Sequence, residues 1–216
     1  SQRVEAAWRF QPLGTVAIAG AISRSMAIEG GHAPATLAAR GEVGVRLGRV
    51  WASGGAMFRD TTALPAAIAF DTAFRGASQG QTIGYFASLR GKFYRDIGMD
   101  LTAVRYADAG FYRPQYETRS RLYLDTDMRK RFPSGNLSVL LALTHDYRTQ
   151  ALFPTATGVL ESSQYRTWGA ELEIKLLTAT LTLQYRNFML EEYAQVPGFQ
   201  LPSATTVYGI RWNFIN

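Results

Sequence analysis

The feature that most constrains this chain is a period of two in which consecutive residues belong to opposite chemical classes. Between Arg119 and Arg129 one phase reads Arg119, Arg121, Tyr123, Asp125, Asp127 and Arg129, and the other reads Ser120, Leu122, Leu124, Thr126 and Met128. Ala170, Leu172, Ile174 and Leu176 alternate in the same way with Glu171, Glu173 and Lys175, and Leu181, Leu183 and Tyr185 alternate with Thr182, Gln184 and Arg186. Side chains on a strand point alternately to its two faces, so each segment is a strand with one oily and one charged side. The same reading over the whole chain gives eleven candidate strands, at about 3–10, 15–24, 40–47, 50–59, 81–91, 97–106, 118–129, 137–147, 164–175, 179–188 and 205–214. The segment 137–147 fits least well, because Leu140 and Ala142 dilute its charged side. In-strand glycines such as Gly54 and Gly55 suit curvature or close backbone approach.

Most of these segments reach the roughly 9–11 residues that a tilted strand needs to cross a bilayer, and strands of soluble domains are usually about half as long. The connections are the stronger clue. QPLG, Gly48-Arg49, KFYRD, KRFPSGN and LLT are short, and they alternate without exception with the longer SMAIEGGHAPATLAA, DTTALPAAIAFDTAFRGASQG, ADAGFYRPQYE, RTQALFPTATGVLESSQ and NFMLEEYAQVPGFQLPSA. Short periplasmic turns and long extracellular loops are the asymmetry of outer-membrane barrels. The expected fold class is therefore all-β, an antiparallel transmembrane β-barrel segment of about eleven strands, with residues 1–216 as a single domain. On that orientation the first strand starts outside and the last ends in the periplasm. Complete bacterial barrels have even strand numbers, so the expectation is a C-terminal part of a larger barrel, and the resemblance given below makes that part the C-terminal half.

Composition excludes more than it specifies. The chain has no cysteine and only two histidines, His32 and His145, which leaves no thiolate chemistry and no local imidazole pair. No apolar run approaches the roughly 18 residues of a membrane-spanning helix. The formal charge of +6 is dispersed through the strands, and its one tight run, Arg129, Lys130 and Arg131, reads as a solvated turn, so no nucleic-acid partner is expected. Neither a Gly-x-Ser-x-Gly nucleophile turn nor a Gly-x-x-x-x-Gly-Lys phosphate loop occurs. The acid pairs Glu191/Glu192 and Asp125/Asp127 lack supporting partners, and His145 falls on the oily phase near a long loop. The expectation is a non-enzyme with no cofactor and no metal site.

Three groups of residues stand out. In the last strand Tyr208, Ile210, Trp212 and Phe214 share one face, and Gly209, Arg211 and Asn213 share the other. The charged phase, which includes Arg46, Arg90, Arg119, Arg121, Asp125, Asp127, Glu171, Glu173, Lys175, Arg186 and Arg211, mixes both signs. It reads as a hydrated lumen wall of paired cross-strand charges, or more sharply as a contact for a plug or a passing solute. Phe111, Tyr112, Arg113 and Tyr116 form an aromatic and basic loop cluster that reads either as a ligand grip using cation-π contacts or as a loop packed on itself.

Two resemblances follow from these residues. Tyr208, Gly209, Trp212 and Phe214 resemble the C-terminal β-signal of outer-membrane proteins, which implies the barrel-assembly machinery as a partner. The segments GKFYRDIGMDLTAVRY, GFYRPQYETRSRLYL, KRFPSGN, VPGFQLP and YGIRWNFIN resemble the C-terminal barrel portion of TonB-dependent receptors. That resemblance implies an outer-membrane receptor for energised uptake of a scarce solute. Such receptors have a 22-stranded barrel and an N-terminal plug, through which TonB acts. Neither a plug nor a TonB-recognition segment occurs in this sequence, so their place is expected in N-terminal sequence outside it. A passive porin-like channel is the alternative, and a soluble β-sandwich or adhesin-like module is a more distant one.

Overall fold

The computed structural model describes residues 2–26, 36–64, 76–129 and 132–212. In chain order its strands are β1 (Gln2–Leu13), β2 (Val16–Met26), β3 (Thr36–Leu47), β4 (Val50–Arg59), β5 (Thr62–Leu64), β6 (Ala77–Gln79), β7 (Thr82–Tyr94) and β8 (Ile97–Tyr106). There follow β9 (Tyr116–Thr126), β10 (Leu137–Arg148), β11 (Leu152–Pro154), β12 (Val159–Glu161), β13 (Tyr165–Leu176), β14 (Ala179–Arg186), β15 (Ala194–Val196), β16 (Phe199–Gln200) and β17 (Thr205–Trp212). Among the described residues there is no helix.

All eleven segments expected from the alternation are strands of one antiparallel sheet, in the order β1-β2-β3-β4-β7-β8-β9-β10-β13-β14-β17. Each pairs with the next long strand along the chain. The short connections therefore all lie at one end of the sheet and the long ones at the other. The sheet is open. Among the described residues β1 and β17 each have a single neighbour, so these strands do not themselves close into a barrel. The six short strands were not anticipated. They form three two-stranded hairpins, β5-β6, β11-β12 and β15-β16, which are the stems of three long connections.

Local chemistry accounts for the tight end. Gly48 takes φ 62° at the first position of the two-residue turn between Leu47 and Val50, the place where a hairpin turn favours glycine. Arg95 and Leu177 adopt comparable positive φ values, 47° and 53°, in the turns that follow β7 and β13. Register shifts at Phe10/Leu13 and Lys92/Tyr94 place bulges next to the β1–β2 and β7–β8 turns, where they add twist.

Aromatic rings lie over glycines directly opposite them on the neighbouring strand. Trp8 covers Gly20, Phe86 covers Gly55, Tyr106 covers Gly84 and Tyr123 covers Gly98. A Cβ at Gly20 would stand 2.6 Å from the Trp8 ring, and one at Gly84 would stand 2.8 Å from that of Tyr106. A Cβ at Gly55 would also meet the carbonyl oxygen of Gly41, so this glycine does serve close backbone approach. At Gly54 the nearest atom is an ordinary 3.4 Å away.

Register carries the two phases across the whole sheet as two faces. Ile18, Val43, Leu122, Leu141, Leu172 and Leu183 fall on one, and Arg40, Ser88, Asp100, Arg121, Glu171 and Gln184 on the other. The apolar face is uncovered: Val4 is 70% exposed, Ile210 74% and Tyr208 81%. Among the described residues no large side chain is fully buried. A buried apolar cluster among the described residues lies in the long loops, where Ala151 and Phe153 pack with Tyr112 and Val196.

Candidate functional site: the charged face and its loop-end mouth

Every charged residue anticipated for a lumen wall that lies within a described strand is on the polar face. Long side chains at alternate positions reach across the pleat, and the charges largely neutralise one another. Arg121 donates from Nε and Nη2 to Glu171 Oε2, at 3.1 and 2.8 Å. Lys92 Nζ lies 2.9 Å from Asp125 Oδ2, and Arg90 Nε lies 3.7 Å from Asp100 Oδ1. Within single strands, Arg119 pairs with Glu117 at 2.9 Å and Arg40 with Glu42 at 3.0 Å. Asp127 lies just beyond β9 and holds Arg129. Arg186 donates to Gln184 at 3.2 Å. Glu173 and Arg211 stand nearer the tight turns, opposite Thr182 and Thr180 respectively.

The Arg121–Glu171 pair spans β10, and this explains the residue that fitted the alternation poorly. Ala142 occupies the polar face of β10 opposite both Tyr123 and Glu171, and it is only 2% exposed. A small side chain there leaves room for the ion pair to pass above it. Leu140, also on this face, lies one pair further toward the tight turns, between Asp125 and Glu173.

Three cavities among the described residues open on the polar face toward the long loops, one of about 300 Å³ between Arg3, Arg40, Arg59 and Tyr106 and two larger ones. One, of about 470 Å³, is bordered by Arg119, Arg121, Asp146, Glu171, Arg186 and Tyr193. The other, of about 500 Å³, is bordered by Tyr106, Tyr112, Arg113, Glu117, Arg119 and Arg148. Arg119 borders both. In the second, three guanidinium groups face one carboxylate, and that carboxylate is already held by Arg119. The Nε atoms of Arg113 and Arg148 are buried there without a hydrogen-bond partner. Burial lowers the pKa of Arg113, with nearby Arg59 acting in the same direction, while Tyr106 and Asp108 oppose them. This mouth has an excess of positive charge and two orphan donors, which suits an oxyanion.

The loop cluster divides between the two readings made of it. Arg113 faces the mouth with its guanidinium 4.2 Å from the centre of the Tyr106 ring, and it donates to the Asp108 carbonyl. Tyr112 borders the same mouth but also meets Phe153 edge-on at 5.2 Å, while its N–H donates to the Leu152 carbonyl. Phe111 forms a bridge to Leu152. Tyr116 lies on the apolar face beside Tyr147, with centroids 5.7 Å apart. The four residues therefore do not converge on one ligand position. Three loops are knit together here: Ser162 Oγ accepts from the Ala151 N–H at 2.9 Å, and Ser163 Oγ accepts from the Ala194 N–H at 3.1 Å. Tyr165 stacks near Tyr193 at 4.3 Å and accepts from Gln195 at 3.1 Å.

No family model, curated protein or solved structure matches this chain. The terminal residues are placed as follows. Tyr208 and Trp212 project from the apolar face of β17, Gly209 lies opposite Thr182 on the polar face, and Phe214 lies outside the described residues, as do His32, Lys130 and Arg131. His145 sits on the apolar face against Trp168, 4.5 Å between ring centres. Glu191 accepts from the Arg166 N–H in a loop that Asn187 also braces. Among the described residues, no group of three His, Asp or Glu side chains is placed to hold a metal ion. Asp146 and Arg148 were not singled out from the sequence, although Thr144, Asp146 and Arg148 continue the polar phase of β10. Extending that phase two residues past the oily run would have found them.

Proposed function

We propose that this chain is a wall of an outer-membrane β-barrel receptor that takes up a scarce solute, with its apolar face against lipid and its charged face toward the lumen. The observation that carries the reading is the inversion of the sheet. Large apolar side chains are exposed along one face, and the ion pairs and cavities gather on the other. An uncovered apolar face that runs across all eleven strands, where soluble monomers keep exposed apolar patches small, fits a lipid surround. The tight turns then face the periplasm and the loop hairpins face outside. In this reading the open edges, β1 and β17, close onto further strands of the same barrel, because unpaired backbone groups are not tolerated in a bilayer. A plug supplied by the same gene product fills the lumen and couples uptake to TonB. The resemblance of the turn and terminal segments to TonB-dependent receptors supports this coupling. The Arg113–Arg148 mouth receives a solute that carries carboxylate or phosphate groups.

The test has two stages. Refolding should require detergent, and refolding to a soluble monomer without it would sink the membrane reading. In cells, growth on a limiting solute should depend on the full-length gene and on TonB. Dependence on the gene but not on TonB would favour the passive channel instead.

A further inference from the structure

The apolar face carries an asymmetry that solute uptake does not explain. Among the described residues of the eleven-stranded sheet, its charged side chains are Arg24 on β2, Arg105 on β8 and Arg166 on β13, with no carboxylate. All three are exposed and stand within two residues of the long-loop end of their strands. Two of them stand among aromatic rings: Arg105 lies opposite Tyr85 and Tyr116, and Arg166 lies over Tyr147 at 5.7 Å from the ring centre, whereas Arg24 lies between Val4 and Leu37. At the tight-turn end the same face holds Leu13, Leu47, Ile97, Leu124, Leu176 and Trp212, and no charge.

Three cations with no carboxylate beside them on this face among the described residues, at the boundary where an oily surface stops, mark the level at which lipid tails give way to head groups. Spacing argues against a pocket for a small free ion. Arg24 and Arg105 are four strands apart and Arg105 and Arg166 three, roughly 19 and 14 Å at the usual strand separation. Small oxyanions are held by converging donors, whereas a row at one height fits a plane of charges. Glu191 accepts from the backbone N–H of Arg166, a bond that leaves the guanidinium out. We propose that Arg24, Arg105 and Arg166 form a row that contacts the phosphate groups of anionic lipids in the outer leaflet. This rests on the membrane reading above, and it adds a lipid preference and a leaflet to it.

The experiment uses the full-length gene product, with the strands that close the barrel, refolded in zwitterionic detergent and incubated with diphosphoryl lipid A, monophosphoryl lipid A or phosphatidylcholine, with retained lipid measured after gel filtration. Retention should follow the order in which the lipids are given, and it should fall as salt rises. R24Q/R105Q/R166Q should lower retention of the diphosphoryl lipid by at least about tenfold, since each basic residue near an anionic surface is worth roughly fivefold. R9Q, on the polar face, should retain as much as the unaltered chain. Equal retention by the triple variant, or equal retention of phosphatidylcholine, would overturn the proposal while leaving the membrane reading intact. Displacement of the lipid by millimolar inorganic phosphate would also overturn it, in favour of a free-anion site. A chain that does not enter micelles sinks both.

Discussion

Gly98 and Tyr123 show how single residues set the spacing of this sheet. The Tyr123 ring occupies the space that a side chain at Gly98 would need, so a larger residue there forces the ring off the strand. G98V is expected to lower stability in detergent by about 1–3 kcal/mol, as overpacking commonly does, with the loss visible as a lower urea midpoint. A midpoint equal to that of the unaltered chain would show that the ring swings aside freely. The Arg121–Glu171 pair makes a different prediction. Both side chains are about one-third exposed, 34% and 29%, so a double-mutant cycle with R121Q and E171Q should give a coupling of no more than about 1 kcal/mol, weakened by salt. At this scale the sequence was legible in phase but not in partnership. Alternation placed Arg121 and Glu171 on one face, yet their pairing across β10 depends on the register of three strands and on the small Ala142 between them. The loop aromatics were legible only as a composition. Tyr112 meets Phe153, a residue some forty positions away, because two loops pack together.

Turns and loop stems are the elements in which local and global demands differ most. Leu177 holds φ 53° in a two-residue turn while remaining 61% exposed, so it bears the cost of a left-handed backbone without much packing in return. L177G should raise stability by about 1 kcal/mol; a loss would mean that the leucine side chain is an anchor in its own right. In the loop layer, Ser162 is 3% exposed and its hydroxyl satisfies the N–H of Ala151, which is fully buried. S162A leaves that N–H without a partner, at a cost of about 1–3 kcal/mol. Amide exchange at Ala151 should accelerate at least about tenfold, while exchange in the middle of β10 and β13 stays unchanged. The long strands were readable because each has two faces of different chemistry. The stems β11-β12 and β15-β16 were not, since runs of two or three residues carry no period, and Pro154 would ordinarily argue against a strand.

At the scale of the whole molecule, the two faces should respond to charge in opposite ways. Leu141 lies at the centre of the apolar face and is 51% exposed, and Thr144, three residues on, lies on the polar face beside Arg121 and Gly169. L141R should abolish folding into vesicles or weaken it by about 2–4 kcal/mol, the cost of a cation at mid-bilayer on the lipid side of a barrel. T144E should fold into vesicles nearly as well as the unaltered chain. Equal behaviour of the two variants would remove the basis for placing lipid on either face. The eleven strands and their faces were legible because apolar and charged residues alternate along each of them. Closure was not legible, because the alternation of each strand is the same in an open sheet as in a ring.

The uninterrupted meander has a further consequence. Each long strand is bonded to its neighbours along the chain, and each tight turn returns the backbone to the long-loop end with both faces preserved. A hairpin is thus an interchangeable unit. Adding or deleting one would widen or narrow the sheet by two strands without moving any other residue to the wrong face, and a duplication of this modest size could change the sheet's width before it changed its chemistry.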